Sequence, residues 1–229
     1  ELRNHSIPRL LLTYSVPAII GMLVNALYNV VDRIFIGNIP GVGPLAITGV
    51  GVCLPIMTIM LAFAMLVGIG ATTNISIKLG QGKKEDAEKI IGNAIKLSVI
   101  IGLIISVVGI IFGDTILKVF GASEATLQYA KDYIYIILAG SMFNMLGYTL
   151  NNTIRGDGSP RLAATIMIVG CLTNVVLDAI LIFGFHLGIQ GAAIATVVSQ
   201  IVTAIWGFLY YVRGKSNLKF HKSSLKLDS

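Results

Sequence analysis

The sequence predicts an all-α polytopic membrane protein with six transmembrane helices. Three observations carry that prediction. The chain of 229 residues is 55% hydrophobic and only 12% charged, about half the charged fraction of a soluble domain. Its apolar residues gather into six continuous runs, each long enough to cross the roughly 30 Å hydrocarbon layer as a helix of about 20 residues. Its Lys and Arg fall almost entirely on alternate connections between those runs. The runs do not alternate polar with apolar residues, as barrel strands of about half this length would.

The first run covers residues 10–36 and contains Pro17. A proline in a membrane helix frees a carbonyl and bends the axis, as a fixed kink or as a hinge. The second run, 45–79, is longer than one bilayer needs and contains Pro55; it is expected to tilt or to extend into the interface. The third to sixth runs cover residues 90–112, 127–154, 162–183 and 189–212. Residues 1–213 thus form one six-helix transmembrane domain, followed by a polar, lysine-rich tail at 214–229. The chain begins without Met and shows no secretory signal before its first run, so it reads as part of a longer protein.

Orientation follows from the connections. Arg3, Arg9, Lys78, Lys83, Lys84, Lys89, Arg155, Arg161, Arg213, Lys215, Lys219, Lys222 and Lys226 fall on one side, thirteen in all, against Lys118 alone on the other. The positive-inside rule then places both termini in the cytoplasm of a multi-pass cell-membrane protein. An even number of crossings requires the same. The formal charge of +6 is accounted for by this asymmetry, which excludes nucleic acid as a partner.

Several apparent motifs carry no chemistry. "GQGKKED" at 80–86 lacks the phosphate-loop spacing and a preceding strand, and "RGDG" at 155–158 falls on the expected cytoplasmic side. Cys53 and Cys171 lie within apolar runs as inert packing. No His, Cys or carboxylate set has metal-ligand spacing, and no nucleophile has a base beside it. The chain is not expected to be an enzyme or to hold a cofactor.

The polar residues inside the runs are the informative ones. "NVVDRIFIG" and "NVVLDAILIFG" place Asp32 and Asp178 in apolar helices. An ionised side chain at a bilayer centre costs roughly 2.5–3.5 kcal/mol, so two total about 5–7 kcal/mol and need compensation from a bundle interior. Helical spacing supplies it. Asn25, Tyr28 and Asp32 share one face, and Asn174 with Asp178 is an i,i+4 pair. Thr196, Ser199, Gln200 and Thr203 form a stripe on the sixth run, and Asn144, Tyr148, Asn151 and Asn152 another on the fourth. If the stripes meet, the two carboxyl groups can exchange a proton or ligate a hard monovalent cation such as Na⁺. Arg33, Lys96 and Lys131 lie near run ends, where local pairing or snorkelling accounts for them.

These residues resemble the MATE family of multidrug and toxin extrusion transporters. The resemblance rests on "SVPAIIGMLVNALYNVVDRIFIGNIPG", "TIRGDGSPRLA" and "TNVVLDAILIFG…GIQGAAIATVVSQ" and covers nearly the whole chain. It implies a twelve-helix transporter of two lobes. This chain is then the amino-terminal lobe (N-lobe), with 214–229 beginning the cytoplasmic inter-lobe linker and the C-terminal lobe missing. The implied activity is multidrug efflux by antiport, exporting organic cations and other amphipathic compounds in exchange for H⁺ or Na⁺. Asp32 resembles the family's first-helix coupling carboxylate. Asn174, Asp178 and Thr196 resemble its partners, with spacings like those of the DinF-type branch, and Tyr28 and Pro17 match a tyrosine and a bending proline. Asn25, Asn151, Asn152 and Gln200 complete the expected polar face. Two other readings remain at this point: a lipid-linked precursor flippase of the same superfamily, and a non-transporting membrane receptor or scaffold.

Overall fold

In the computed structural model, residues 7–213 together with Ser216 and Leu218 are described, apart from the side chains of residues 7–14, Ala18 and Asn25. The tail expected at 214–229 is therefore represented by Ser216 and Leu218 alone. Seven α-helices follow one another: α1 (Ile7–Gly37), α2 (Gly43–Gly80), α3 (Lys84–Val119), α4 (Glu124–Ala139), α5 (Ser141–Gly156), α6 (Pro160–Asp178) and α7 (Gly188–Val212). A π-helical segment, Ala179–Gly184, extends α6. Five of these helices are long and apolar enough to cross a membrane singly, and α4 with α5 makes the sixth as a pair bent by 56°. The fourth apolar run is thus a broken crossing rather than a straight one.

The break is held by a contact with another helix, whereas the two proline-containing helices run on unbroken. At the bend, the Ser141 hydroxyl donates to the Gly102 carbonyl of α3 at 2.7 Å, so the new helix is pinned by its first residue. Helices α1 and α2 continue through Pro17 and Pro55. Thr58 donates its hydroxyl to the Leu54 carbonyl at 2.8 Å, a back-bond of threonine within its own helix. Helix α5 packs against α2, α3 and α7, whereas α1 leans chiefly on α6. Much of α1 stays exposed along Ile19, Leu23, Leu27 and Ile34, as a helix facing lipid or another protein surface would.

Two apolar cores hold the bundle. One joins Ile36, Val50, Ile134, Ile182 and Ala192. The other joins Ile75, Ile91, Leu150, Ile166 and Tyr211. Along α6 and α7 the residues between these two sets are the polar ones, Asn174 and Asp178 on α6 and Thr196 to Thr203 on α7. A polar layer between two apolar ones is therefore built into the helices' own sequence order. Lys131 pairs with Asp114 of α3 at 2.7 Å, and Tyr135 donates to the same carboxylate at 2.6 Å.

The connection after α5 does more than turn the chain. Gly158 adopts φ +90°, a left-handed conformation that only glycine takes freely, and Asp157 beside it is 2% exposed. The Tyr210 hydroxyl and the Ser216 hydroxyl each donate to Asp157 Oδ2 at 2.6 Å, while Leu218 is fully buried in the second core. Asp157 thus fastens the end of α7, and the segment after it, to the bundle. Hydrogen bonds to a charged acceptor are worth roughly 1.5–3 kcal/mol each. Asp157→Ala is expected to cost about 3 kcal/mol, read as a lower thermal unfolding midpoint in detergent, with Leu218→Ala lowering it too. An unchanged midpoint for Asp157→Ala would show that this fastening contributes nothing.

Candidate functional site

Asp32 lies five residues before the end of α1 and is 6% exposed; Asp178, the last residue of α6, is fully buried. The two carboxyl groups are near enough for their charges to interact. Two carboxylates buried together repel each other, so the pair favours a bound proton or a cation. Asp32 Oδ1 and Asp178 Oδ1 are buried and accept from no described group, leaving two oxygens for that role.

Asn174 and Thr196 complete the cluster. With the Asn174 amide nitrogen toward Asp178 Oδ2, 3.2 Å away, its oxygen accepts from the Thr196 hydroxyl at 3.3 Å and from the Thr196 backbone N–H at 3.2 Å. The opposite orientation keeps only a bond to Thr196 Oγ1 at 3.3 Å, so the network selects the first. The switch from α to π geometry directly after Asp178 belongs to the same construction. A π turn inserts an extra residue and commonly marks a functional position in a helix. Here its backbone at Leu181 and Ile182 rests on Gly191 of α7, where a methyl group would stand 3.0–3.1 Å from it. No trio of His, Cys, Asp or Glu suited to a metal occurs among the described residues. What the cluster offers is carboxyl, amide and hydroxyl oxygen, a donor set for a hard cation or a proton.

One member was missed by sequence reasoning. Tyr133 of α4 is 2% exposed and stands near enough to Thr196 and Asp32 to interact with both. Its position in "DYIYIILAG" reads as one more aromatic near a membrane interface, and nothing local marks it as inward-facing. Tyr28 is half-buried one turn before Asp32 and close enough to feel both carboxylates.

Beside this cluster opens a cavity of about 500 Å³, lined from α1, α2, α4, α5, α6 and α7. Tyr28, Asn151, Asn152, Asn174 and Gln200 all line it. The polar stripes therefore do not all converge on the carboxyl pair, as the sequence led one to expect. Asp32, Asp178 and Thr196 stand behind the wall, and Asn174 and Tyr28 belong to both compartments. Asn151 donates to the Ala163 carbonyl at 2.8 Å, tying α5 to α6, and Asn152 donates to the Tyr148 carbonyl at 2.9 Å in its own helix. The Gln200 amide oxygen is buried without a described donor. Methionines 22, 57, 60 and 167 supply an adaptable apolar lining. Pro17 is half-buried, fifteen residues or ~22 Å of helix before Asp32. The Asn25 side chain lies outside the described residues.

A family model described as MatE matches residues 17–180. The chain belongs to the MatE family. Among its MatE relatives, the multidrug export protein MepA of Staphylococcus haemolyticus (strain JCSC1435) is 32% identical over 221 residues, covering 96% of this chain and 48% of MepA. A crystal structure of MATE in the bent conformation superposes with a TM-score of 0.87 at 28% identity, over 95% of this chain and 48% of that one. The outward-facing conformation of a multidrug resistance MATE family transporter of the MOP superfamily gives 0.87 at 29%, over 94% and 47%. The chain spans about half the length of the curated MatE relatives it matches, and its fold is that of one MATE lobe.

Proposed function

We propose that this chain is the amino-terminal lobe of a two-lobe multidrug exporter. It would move organic cations and other amphipathic compounds outward in exchange for H⁺ or Na⁺ bound among Asp32, Asn174, Asp178 and Thr196. The observation that carries this reading is the buried carboxyl pair separated from the cavity by Asn174 and Tyr28, side chains that belong to both. An ion entering the pair neutralises buried charge and resets the Asn174–Asp178 bond, and through Asn174 that change reaches the cavity wall. Coupling requires the ion to bind two helix packings with different affinity. Helix α1 is the element placed to differ, since it leans mainly on α6 and carries Pro17 below Asp32. In this reading the end bearing Lys78, Arg155 and Arg213 faces the cytoplasm, residues 214–229 lead to the second lobe, and the bilayer and that lobe are the structural partners.

A flippase for lipid-linked precursors needs a strongly cationic cavity, and Arg155 is the one charged residue among the described lining groups here. A receptor or scaffold would need no ion at the carboxyl pair. The test is efflux of a fluorescent cation from vesicles carrying the two-lobe protein, with an imposed Na⁺ gradient compared against an imposed pH gradient. One of the two is expected to drive efflux; efflux driven by neither would overturn the antiport reading.

A further inference from the structure

Sequence reasoning places Arg155 in a connection, as one of the thirteen basic residues that set orientation. The structure puts its guanidinium elsewhere. Arg155, in the last turn of α5, is half-buried and lines the cavity. Its Nη2 lies 3.0 Å from Met167 Sδ of α6, and a methyl group built on Gly21 of α1 would stand 3.6 Å from the same nitrogen. The side chain therefore reaches back along the cavity, between α1 and α6, instead of out into water.

Two features make that placement unusual. A guanidinium carries five N–H donors and always keeps its charge, yet the acceptor given to it is a thioether sulfur, a weak one. Asp157, two residues on, directs its carboxylate to the Tyr210 and Ser216 hydroxyls and makes no ion pair with Arg155. The ion pairs among the described residues are Lys78–Asp86 and Lys131–Asp114, and Arg155 is in neither. The cavity, meanwhile, contains no Asp or Glu among its described lining residues. A fixed positive charge with open donors, at one end of a methionine-rich cavity, is a recogniser of oxygen anions, because a planar guanidinium matches carboxylate and phosphate geometry.

We propose that Arg155 is a specificity-determining residue that binds an oxyanion at one end of the cavity, either the carboxylate of an amphipathic solute or the phosphate of a lipid headgroup. Among the organic cations the cavity takes, it then favours zwitterions that also carry an oxyanion over cations of the same body that lack one. This inference rests on reading the cavity as the substrate site.

The test measures binding to the two-lobe protein in a phosphate-free sugar detergent, using rhodamine B, which has a free carboxylate, and its ethyl ester. Wild type is expected to lose about tenfold in affinity from acid to ester. Arg155→Gln is expected to weaken the acid about tenfold, ~1.4 kcal/mol, and to leave the ester unchanged, while Arg155→Lys keeps part of the preference. Added phosphatidylglycerol that displaces the acid from wild type but not from Arg155→Gln would assign the same group to lipid phosphate as well. Equal weakening of acid and ester in Arg155→Gln, or no change in either, would overturn the proposal. Cys171→Trp, which fills the cavity, separates the two readings: if it leaves both dyes bound as before, the cavity is not the substrate site.

Discussion

Asp178→Asn in the two-lobe protein is expected to cut gradient-driven efflux sharply while leaving the fold and the binding of a neutral dye intact. The substitution is nearly isosteric, and Asp178 stands behind the cavity wall rather than in it. What it removes is one of the two ionisable carboxyl groups of the pair. Asp32 then faces a permanently neutral amide, and a proton or Na⁺ no longer separates one helix packing from the other. Coupling free energies between sites are typically about 1–3 kcal/mol, or roughly 5–150-fold, so a fall in efflux of that order is the expected result. The measurement is dye efflux from vesicles under the driving gradient, paired with dye binding in detergent. Efflux at the wild-type rate would mean that the carboxyl pair serves packing alone, as a receptor or scaffold would use it.

Gly191→Leu is expected to damage the fold and the ion coupling together. The backbone of Leu181 and Ile182 approaches so closely that even a methyl group at residue 191 would stand 3.0–3.1 Å from it. Backbone cannot swing aside as a flexible side chain can, so the π segment would be pushed off α7. Overpacking of this kind costs about 1–3 kcal/mol, and the displacement would also carry Asp178 away from Thr196. Thermal unfolding is expected to fall by that amount, and ion-driven efflux to fail even in the protein that still folds. Normal efflux in Gly191→Leu would show that the packing of the π segment on α7 does not position the site.

Much of this was legible in the chain. Asp32 and Asp178 stood out because an ionisable group in a bilayer must find partners; spacing paired Asn174 with Asp178, and the MATE resemblance singled out Thr196 from its stripe. The structure brings the four together. Asn151, Asn152 and Gln200 were read onto the same face and instead line the neighbouring cavity, because spacing along one helix says which residues share a face and nothing about the depth of its neighbour. Tyr133 escaped notice for the same reason: its partner Thr196 is on another helix, and an aromatic in an apolar run resembles many others.

What the sequence by itself determined is the set of crossings and the chemistry stored inside them. Hydrocarbon leaves backbone groups no water to bond, so long apolar runs have little choice but to become helices, and buried carboxylates have little choice but to meet polar groups. What only the tertiary structure decided is where the chain departs from its own periodicity. The break at Gly140, the π turn after Asp178 and the inward reach of Arg155 depend on contacts with Gly102, Gly191 and Met167. Those contacts join residues distant in the chain, and no local pattern encodes the distance between two helices.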